Sequence, residues 1–222
     1  AFARTLQHEQ YDVAFVLDRS PAMTLLPYLA RIPYRIGLDS RHRGFSNTTR
    51  VPILQDENEI SAYRRLAASV GIDASSSSCI FSPNPEDTSV ARRLAEEFGP
   101  AESGRHVLIA PGGGMNPGAV DLTKRWLAER YAALGDHLVN EFGVHISLIG
   151  TASDANSIGA VKRAMTCPMT DLTGRTSFGQ LGALMSQSQL VIGNDSAATH
   201  LSISVGTPTV TVFTSTEPWI YG

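Results

Sequence analysis

A run of short polar side chains follows an apolar stretch near the end of the chain, and its pattern suits the binding of a phosphate group. Leu190 to Ile192 is apolar and predicts a buried strand, whereas residues 194–200 predict a tight turn and the start of a helix. The unpaired N–H groups at a helix start carry partial positive charge and attract anions. Ser196 and His200 are four residues apart, so they share one helix face and can meet one ligand. We therefore predict a nucleotide site in this segment.

Each residue of this segment has an expected role and a structural alternative. Backbone N–H groups near Ala197 and the Ser196 hydroxyl are expected to contact a pyrophosphate, and His200 is expected to donate to a phosphate or to a polar group of the sugar. Asp195 would repel a pyrophosphate, so we expect its carboxylate to cap the helix or to accept a hydrogen bond from a sugar hydroxyl. The alternative is a plain capped helix with His200 packed inside.

A glycine-rich turn and a second strand end point to the same chemistry. Gly112 and Gly113 follow an apolar strand pattern and are expected to let a phosphate approach the backbone, the alternative being a flexible strand-to-helix connection. Asp154 follows another predicted strand, at the end where α/β folds hold nucleotides, and a helix cap is the alternative for it.

Two basic clusters accompany these turns. Lys124 lies near a predicted helix start and can meet a pyrophosphate as a point charge, while Arg125 is predicted to be a surface charge and Trp126 a core residue. In the basic segment between residues 31 and 50, Arg41 and Arg43 are candidate contacts for an anionic acceptor such as a phosphorylated glycolipid core. A solvated loop is the alternative for that segment.

Short apolar runs alternate with amphipathic helical patterns along the chain, which predicts an α/β fold with parallel sheets. Helix starts are predicted at Asn84 and at Ser177, the latter followed by Phe178 and other residues expected to face inward. Residues 99–105 are polar and rich in helix breakers, so we place a domain boundary there. The sequence thus predicts two Rossmann-like domains, residues 1–100 and 101–222.

Composition limits the function. The 222 residues are 42% hydrophobic and 18% charged, and the net charge of −3 favours neither nucleic acid nor anionic membranes as partners. Cys79 and Cys167 have no metal-ligand spacing and indicate reduced thiols in the cytosol. No apolar run reaches the ~18 residues of a transmembrane segment. No catalytic triad or metal cluster emerges, and Asp18 and Asp39 are isolated carboxylates.

In their order and spacing, five blocks of the sequence resemble the motifs of glycosyltransferase family 9, the lipopolysaccharide heptosyltransferases. Their pattern is similar in particular to that of enzymes of the heptosyltransferase II kind. The blocks are Pro111-Gly-Gly-Gly114, Lys124-Arg-Trp126, Leu148-Ile-Gly-Thr-Ala-Ser-Asp154, Asp171-Leu-Thr-Gly-Arg-Thr-Ser177 and Asn194-Asp-Ser196 with His200. The sequence departs from the family pattern in several places. Ala197 replaces a usual glycine, Leu127 replaces a usual proline, and Thr214-Ser-Thr-Glu-Pro218 replaces a Gly-Pro-Thr-Asp-Pro block.

The resemblance implies a GT-B fold and the inverting, metal-independent transfer of heptose from ADP-heptose to the lipopolysaccharide inner core, without a cofactor. It implies that residues before about 100 belong to the acceptor side and that the later residues bind the donor. It also implies that Lys124 binds the donor phosphates, that Asp154 binds the ribose, and that the general base is an aspartate upstream of Ala1.

The expected location is the cytoplasm, with peripheral association at the inner membrane surface as a further option. We expect the sequence to be truncated at both ends, and the chain alone to be inactive. Another GT-B nucleotide-sugar enzyme and a non-catalytic nucleotide-binding protein are the alternatives.

Overall fold

The computed structural model describes residues 2–96, 105–116 and 119–221. Its contacts divide the chain into two compact units, Ala1–Ser77 with Pro218–Gly222, and Ser78–Glu217. The division lies earlier in the chain than the boundary predicted near residue 100, because the helix that follows residue 84 packs in the core of the second unit. Most of the predicted linker, residues 99–104, lies outside the described residues.

The first unit contains, among its described residues, a parallel three-stranded sheet in the order β1-β2-β3. Its elements are α1 (Phe2–His8), β1 (Val13–Val16), α2 (Pro21–Leu29), β2 (Tyr34–Asp39), β3 (Thr49–Pro52) and α3 (Glu59–Ala68). The basic segment therefore forms two strands and their connection. Ile36, Leu38 and Val51 of these strands pack against Ala62 and Leu66 of α3.

The second unit begins with a helix and continues through strand and helix in alternation. Its elements are α4 (Pro85–Glu96), β4 (His106–Ala110), β5 (Met115–Asn116), β6 (Ala119–Val120), α5 (Ala128–Phe142), β7 (His145–Leu148), α6 (Ala155–Ala164), β8 (Met169–Asp171), α7 (Phe178–Ser186), β9 (Leu190–Asn194), α8 (Ala197–Ser204) and β10 (Thr209–Val212). Short 3-10 turns cover Leu122–Lys124 and Ala152–Asp154. The chain then ends with the short helix α9 (Pro218–Tyr221), which belongs to the first unit.

Five of the described strands form one parallel sheet in the order β10-β9-β4-β7-β8. The chain runs from β4 through β7 to β8 in one direction, and then resumes at β9 on the other side of β4. The crevice between β4 and β9, outside their carboxyl ends, is the topological switch point at which open α/β sheets bind ligands. Ala110 pairs with Gly193 in the register, so the turns after both strands start side by side.

Successive residues of β4 supply two hydrophobic cores, one on each face of this sheet. Leu108 and Ala110 pack with residues of α4, α7 and α8, whereas Val107 and Ile109 pack with residues of α5 and α6. This alternation follows the two-residue period of a strand and gives a doubly wound layer structure. The predicted α/β fold class is confirmed.

The helix start predicted at Ser177 is confirmed, with one error among the core residues. Ser177 and Gln180 form the predicted capping box of α7, and Gly143 ends α5 in the left-handed conformation with φ of 60°. The expectation that Phe178 faces inward is wrong, because this residue is 59% exposed. Its ring packs edge-on against Phe81, with the ring centroids 5.4 Å apart.

Across the described ranges, every helix is too short or too polar to span a lipid bilayer.

Candidate functional site

Three turns meet at the carboxyl edge of the five-stranded sheet. They follow β4, β7 and β9, and they carry the predicted residues Gly113, Asp154 and Ser196 respectively. The N–H group of Gly113 donates to Oδ1 of Asp154 over 3.1 Å. A Cβ atom added at Gly113 would lie 3.1 Å from Cβ of Ser196. Residues more than 80 positions apart in the chain are thereby neighbours at the switch point between β4 and β9.

Asp195 is the centre of a charged cluster at this edge. Its Oδ2 accepts a hydrogen bond from Nζ of Lys124 at 3.1 Å, and its Oδ1 lies 3.3 Å from Nε2 of His200. The Asp195 side chain is only 5% exposed, whereas the lysine is 22% exposed and the histidine 51%. A buried carboxylate thus holds two donors whose outer surfaces remain open to a ligand.

The electrostatics of this cluster keep Asp195 ionised. Burial by itself raises the pKa of the Asp195 carboxyl, but the Thr216 hydroxyl and the Lys124 ammonium outweigh it, so the pKa lies below its usual value. Because a lysine ammonium has three N–H donors, Lys124 can keep its bond to Asp195 and still donate to a phosphate.

The structure corrects two alternatives for the segment before α8. Ser196, not Asp195, is the N-cap residue of this helix, and the Thr199 hydroxyl accepts a hydrogen bond from its N–H over 3.3 Å. The interpretation of Asp195 as the helix cap is therefore wrong. The alternative in which His200 packs inside is also wrong, since its side chain is half-exposed.

Ala197 is the first residue of α8 and is exposed. It is not among the described non-glycine residues with positive φ. The backbone conformation at this position is therefore open to any L-residue, and the replacement of the family's usual glycine introduces no strain here.

Close packing explains the glycines of the turn after β4. A Cβ atom at Gly112 would lie 2.3 Å from Cγ of Asp154, so only glycine fits against that carboxylate. Gly114 has φ of +72°, and a Cβ atom there would lie 2.0 Å from the carbonyl oxygen of Asp121. Steric contact therefore accounts for glycine at both positions, while the predicted phosphate contact and its alternative, a flexible connection, stay predictions.

Asp154 is held on several sides by protein groups. Its Oδ2 accepts from the N–H and the hydroxyl of Thr151, the N-cap residue of the 3-10 turn, at 3.0 and 2.8 Å. Asp154 thus completes a capping box from the third position of that turn, whereas its side chain makes no capping bond to α6, the helix it was expected to cap. Its Oδ1 lies 3.6 Å from Nη2 of Arg125 and accepts from the Gly113 N–H. The ribose contact implied by the resemblance stays a prediction.

Arg125 is a residue whose role the sequence analysis missed. It was predicted to be a surface charge, yet its side chain is only 16% exposed, and its Nε donates to the carbonyl of Gly113 over 2.8 Å. Its neighbour Trp126 packs against the core beside Tyr131, with the ring centroids 5.0 Å apart, as predicted for a core residue. Residues 125 and 126 lie in an irregular segment, so no periodic pattern in the sequence shows whether each side chain lies at the surface or is packed.

In the first unit, Arg41 and Arg43 lie in the connection between β2 and β3, and both are exposed. The carbonyl of Arg43 accepts a hydrogen bond from the buried Thr24 hydroxyl of α2 over 3.1 Å, which fixes the backbone of the connection. By contrast, Arg35 donates to the carbonyl of Ser46 over 2.8 Å and so serves the fold. The cluster is therefore divided between structural and exposed arginines.

The second unit is a doubly wound α/β domain whose crevice offers an ammonium group, an imidazole and a helix start to one ligand. Such a set of donors suits a diphosphate. The glycosyltransferase family 9 (heptosyltransferase) model matches residues 1–222 of the chain. The chain therefore belongs to glycosyltransferase family 9, as its motifs predicted.

Individual relatives agree with this assignment. Lipopolysaccharide heptosyltransferase 3 of Escherichia coli is 25% identical over 97% of this chain, which spans 64% of the length of that relative. Among solved structures, a family 9 glycosyl transferase from Veillonella parvula DSM 2008 aligns with a TM-score of 0.83 at 21% identity, over 99% of this chain and 62% of its own. The E. coli ADP-heptose lps heptosyltransferase II aligns with a TM-score of 0.76 at 23% identity, over 98% of this chain and 67% of its own.

Proposed function

We propose that this protein transfers a heptose from ADP-heptose to the inner core of lipopolysaccharide, with inversion at the anomeric carbon, at the cytoplasmic face of the inner membrane. The observation that carries the proposal is the cluster of Lys124, Asp195 and His200 at the start of α8, beside the switch point of the sheet. The family assignment and the names of the relatives support heptose as the sugar and ADP as its carrier.

The diphosphate of the donor would lie between Lys124 and the first N–H groups of α8. The two cations Lys124 and Arg125 are balanced by the carboxylates Asp195 and Asp154, so the site has little net charge to offer an anion. Directed donors must therefore supply the affinity, and these are the lysine N–H groups and the helix start. The imidazole of His200, whose Nε2 faces Asp195, would add a donor at Nδ1 when both ring nitrogens carry a proton.

These same donors assist the chemical step. An acceptor hydroxyl attacks the anomeric carbon of the sugar, the bond from that carbon to the diphosphate oxygen breaks, and negative charge develops on the departing ADP. Donors already fixed at this position stabilise the developing charge with little reorganisation, because Asp195 holds Lys124 and His200 before the reaction. The residue that takes the proton of the acceptor hydroxyl is not assigned to any position of this chain.

The remaining predicted contacts fit this arrangement. Each carboxylate oxygen of Asp154 has about two acceptor positions, and Thr151 fills both of those on Oδ2. A ribose hydroxyl would therefore add at Oδ1, beside the bond from the Gly113 N–H. Arg41 and Arg43 would meet phosphate groups of the lipopolysaccharide core, since guanidinium groups bind phosphates with two parallel hydrogen bonds.

Donor binding is tested by calorimetry on the 222-residue chain, with ADP-heptose, ADP and UDP as titrants. We expect ADP-heptose and ADP to bind and UDP to bind at least tenfold more weakly. A preference for UDP would favour another nucleotide-sugar enzyme.

Turnover is tested on the protein expressed from its complete reading frame, so that the assay does not depend on where this chain begins or ends. We expect ADP release from ADP-heptose only with a heptose-deficient lipopolysaccharide acceptor. The same lipopolysaccharide already carrying the heptose is the matched control. Tight ADP binding without any release would favour the non-catalytic alternative.

A further inference from the structure

The side chain of Asn194, at the end of β9, uses all of its hydrogen-bonding capacity. Its Nδ2 donates to the carbonyls of Pro111 and Gly112 at 3.0 and 2.8 Å. Its Oδ1 accepts from the N–H of Trp126 at 2.9 Å and from the hydroxyl of Tyr131 at 2.8 Å. The residue has no exposed surface. A primary amide has two donor and two acceptor positions, so all four are filled.

These bonds join the segments that carry the proposed donor site. Pro111 and Gly112 begin the turn after β4, residues 111–114, which we call the glycine turn. Trp126 follows Lys124 by two positions, and residues 122–126 before α5 are called the lysine turn. Asn194 also directly precedes Asp195, the partner of Lys124 over 3.1 Å. One amide therefore fixes the glycine turn, the lysine turn and the aspartate relative to one another.

Neither aspartate nor leucine, the side chains nearest to asparagine in shape and volume, can make the same bonds at this position. An aspartate has the same shape but lacks the two donors, and its charge would face two carbonyl oxygens. A leucine would fill the volume but would leave two carbonyls, an N–H and a hydroxyl without partners, and unpaired buried polar groups are costly. The four hydrogen bonds of Asn194 join it to the glycine turn, to the lysine turn and to α5, which begins two residues after Trp126.

We propose that Asn194 is a positioning residue, which sets the distance between the glycine turn and Lys124 and so prepares both for one diphosphate. This inference rests on the proposed donor site for its functional consequence, but the positioning itself is a property of the ligand-free protein. It acts through its neighbours and touches no substrate atom.

The first measurement is amide hydrogen exchange on the ligand-free 222-residue chain. In Asn194→Asp we expect faster exchange at residues 112–114 and 124–126, by at least tenfold, and unchanged exchange in β1 to β3. The control is Leu172→Ala, which truncates a fully buried side chain and has no bond to the amide of Asn194. Equal exchange at these turns in Asn194→Asp and wild type would overturn the proposal.

If Asn194→Asp does not fold, Tyr131→Phe decides the question. This change removes only the hydroxyl that donates to Oδ1 and keeps the ring in place. We expect at least twofold faster exchange at residues 124–126, and no change there overturns the proposal.

The second measurement is the affinity for ADP relative to AMP, taken by calorimetry. If Asn194 positions diphosphate contacts, its variants lose the preference for ADP over AMP, whereas Leu172→Ala keeps that preference. Retention of the full preference by a folded Asn194→Asp overturns the functional part. A wild-type chain that binds no ADP instead contradicts the proposed function, and the exchange result still decides whether Asn194 positions the turns.

Discussion

In the proposed donor site, the protein holds the Lys124 side chain in place before an anion would arrive. This side chain is 22% exposed, and its ammonium group is balanced by the buried carboxylate of Asp195. Leaving such a charge unpaired in a partly buried position would be costly, so the carboxylate stabilises it in one place. A phosphate then gains a preformed donor instead of having to order a mobile lysine.

At this scale we predict that Lys124→Ala weakens ADP binding by roughly ten- to a hundredfold, because a charge-assisted hydrogen bond contributes about 1.5–3 kcal/mol. Calorimetric titration of ADP into wild type and variant measures the change. Lys162→Ala is the matched control, since its Nζ also pairs with an aspartate, Asp171, but in an exposed position. Equal affinities of wild type and Lys124→Ala would remove the lysine from the donor site.

At the scale of elements, the site depends on turns that are rigid because of what packs against them. The glycine turn after β4 lies against Asp154 on one side and against the backbone of Asp121 on the other. The helix start at Ser196 is likewise fixed, because the Thr199 hydroxyl also donates to the carbonyl of Asn194 over 3.0 Å. The backbone of each turn is thus held by contacts with neighbouring groups.

We predict that Gly114→Ala destabilises the second unit more than Gly206→Ala does. Both glycines have positive φ, of +72° and +80°, and an L-residue in this region costs roughly 1–2 kcal/mol. A Cβ at Gly206 meets nothing within 4 Å, whereas one at Gly114 would clash with the Asp121 carbonyl at 2.0 Å. Urea unfolding of both variants measures the difference in the free energy of unfolding. Equal losses of stability would show that the turn after β4 moves to accommodate the added Cβ atom.

The turn after β8 gives a prediction about pH. Burial raises the pKa of Asp171, but hydrogen bonds from Lys162 and Thr173 outweigh this effect and lower the pKa from 3.8 to about 2. A depressed pKa means that the ionised carboxylate stabilises the fold above pH 4, and that this contribution fades as the pH falls towards 2.

Asp171→Asn should therefore lower the melting temperature at pH 6, while the two proteins should converge near pH 2. Thermal unfolding followed by circular dichroism across this range is the measurement. If the two melting temperatures differ by the same amount at all pH values, the charge of the Asp171 carboxylate does not contribute to the stability of the fold.

At the scale of the whole molecule, the predicted donor contacts all fall in the second unit, and the exposed arginines that we expect to meet the acceptor fall in the first. The two proposed substrates would therefore each contact a different unit. The functional assignment of the two units stays a prediction.

We predict that ADP at a hundred times its dissociation constant stabilises the second unit by about 2.7 kcal/mol. Amide exchange should slow at residues 112–114, 124–126 and 195–200, while β1 to β3 should exchange at their ligand-free rates. Hydrogen exchange with mass spectrometry, with and without ADP, makes the comparison. Protection confined to the first unit would place the donor on the other sheet.

The sequence by itself determined the features that depend on neighbours along the chain. The helix start at Ser177 and the strand-turn-helix unit around Asn194 were predicted from local pattern and are present. A cap or a periodic apolar face involves residues within a few positions of one another, so its signal survives in the linear sequence. The family motifs added the class of fold and enzyme.

Only the tertiary structure decided which distant residues meet. Lys124 and Asp195 are 71 positions apart, and their pairing depends on β9 lying next to β4, which is one of many possible strand orders. The same order buries Arg125 against the turn that carries Asp154, so a residue that resembles a surface charge in the sequence becomes part of the framework of the site. Side chains at irregular positions acquire their surroundings from the packing of the sheet, and no local pattern encodes that packing.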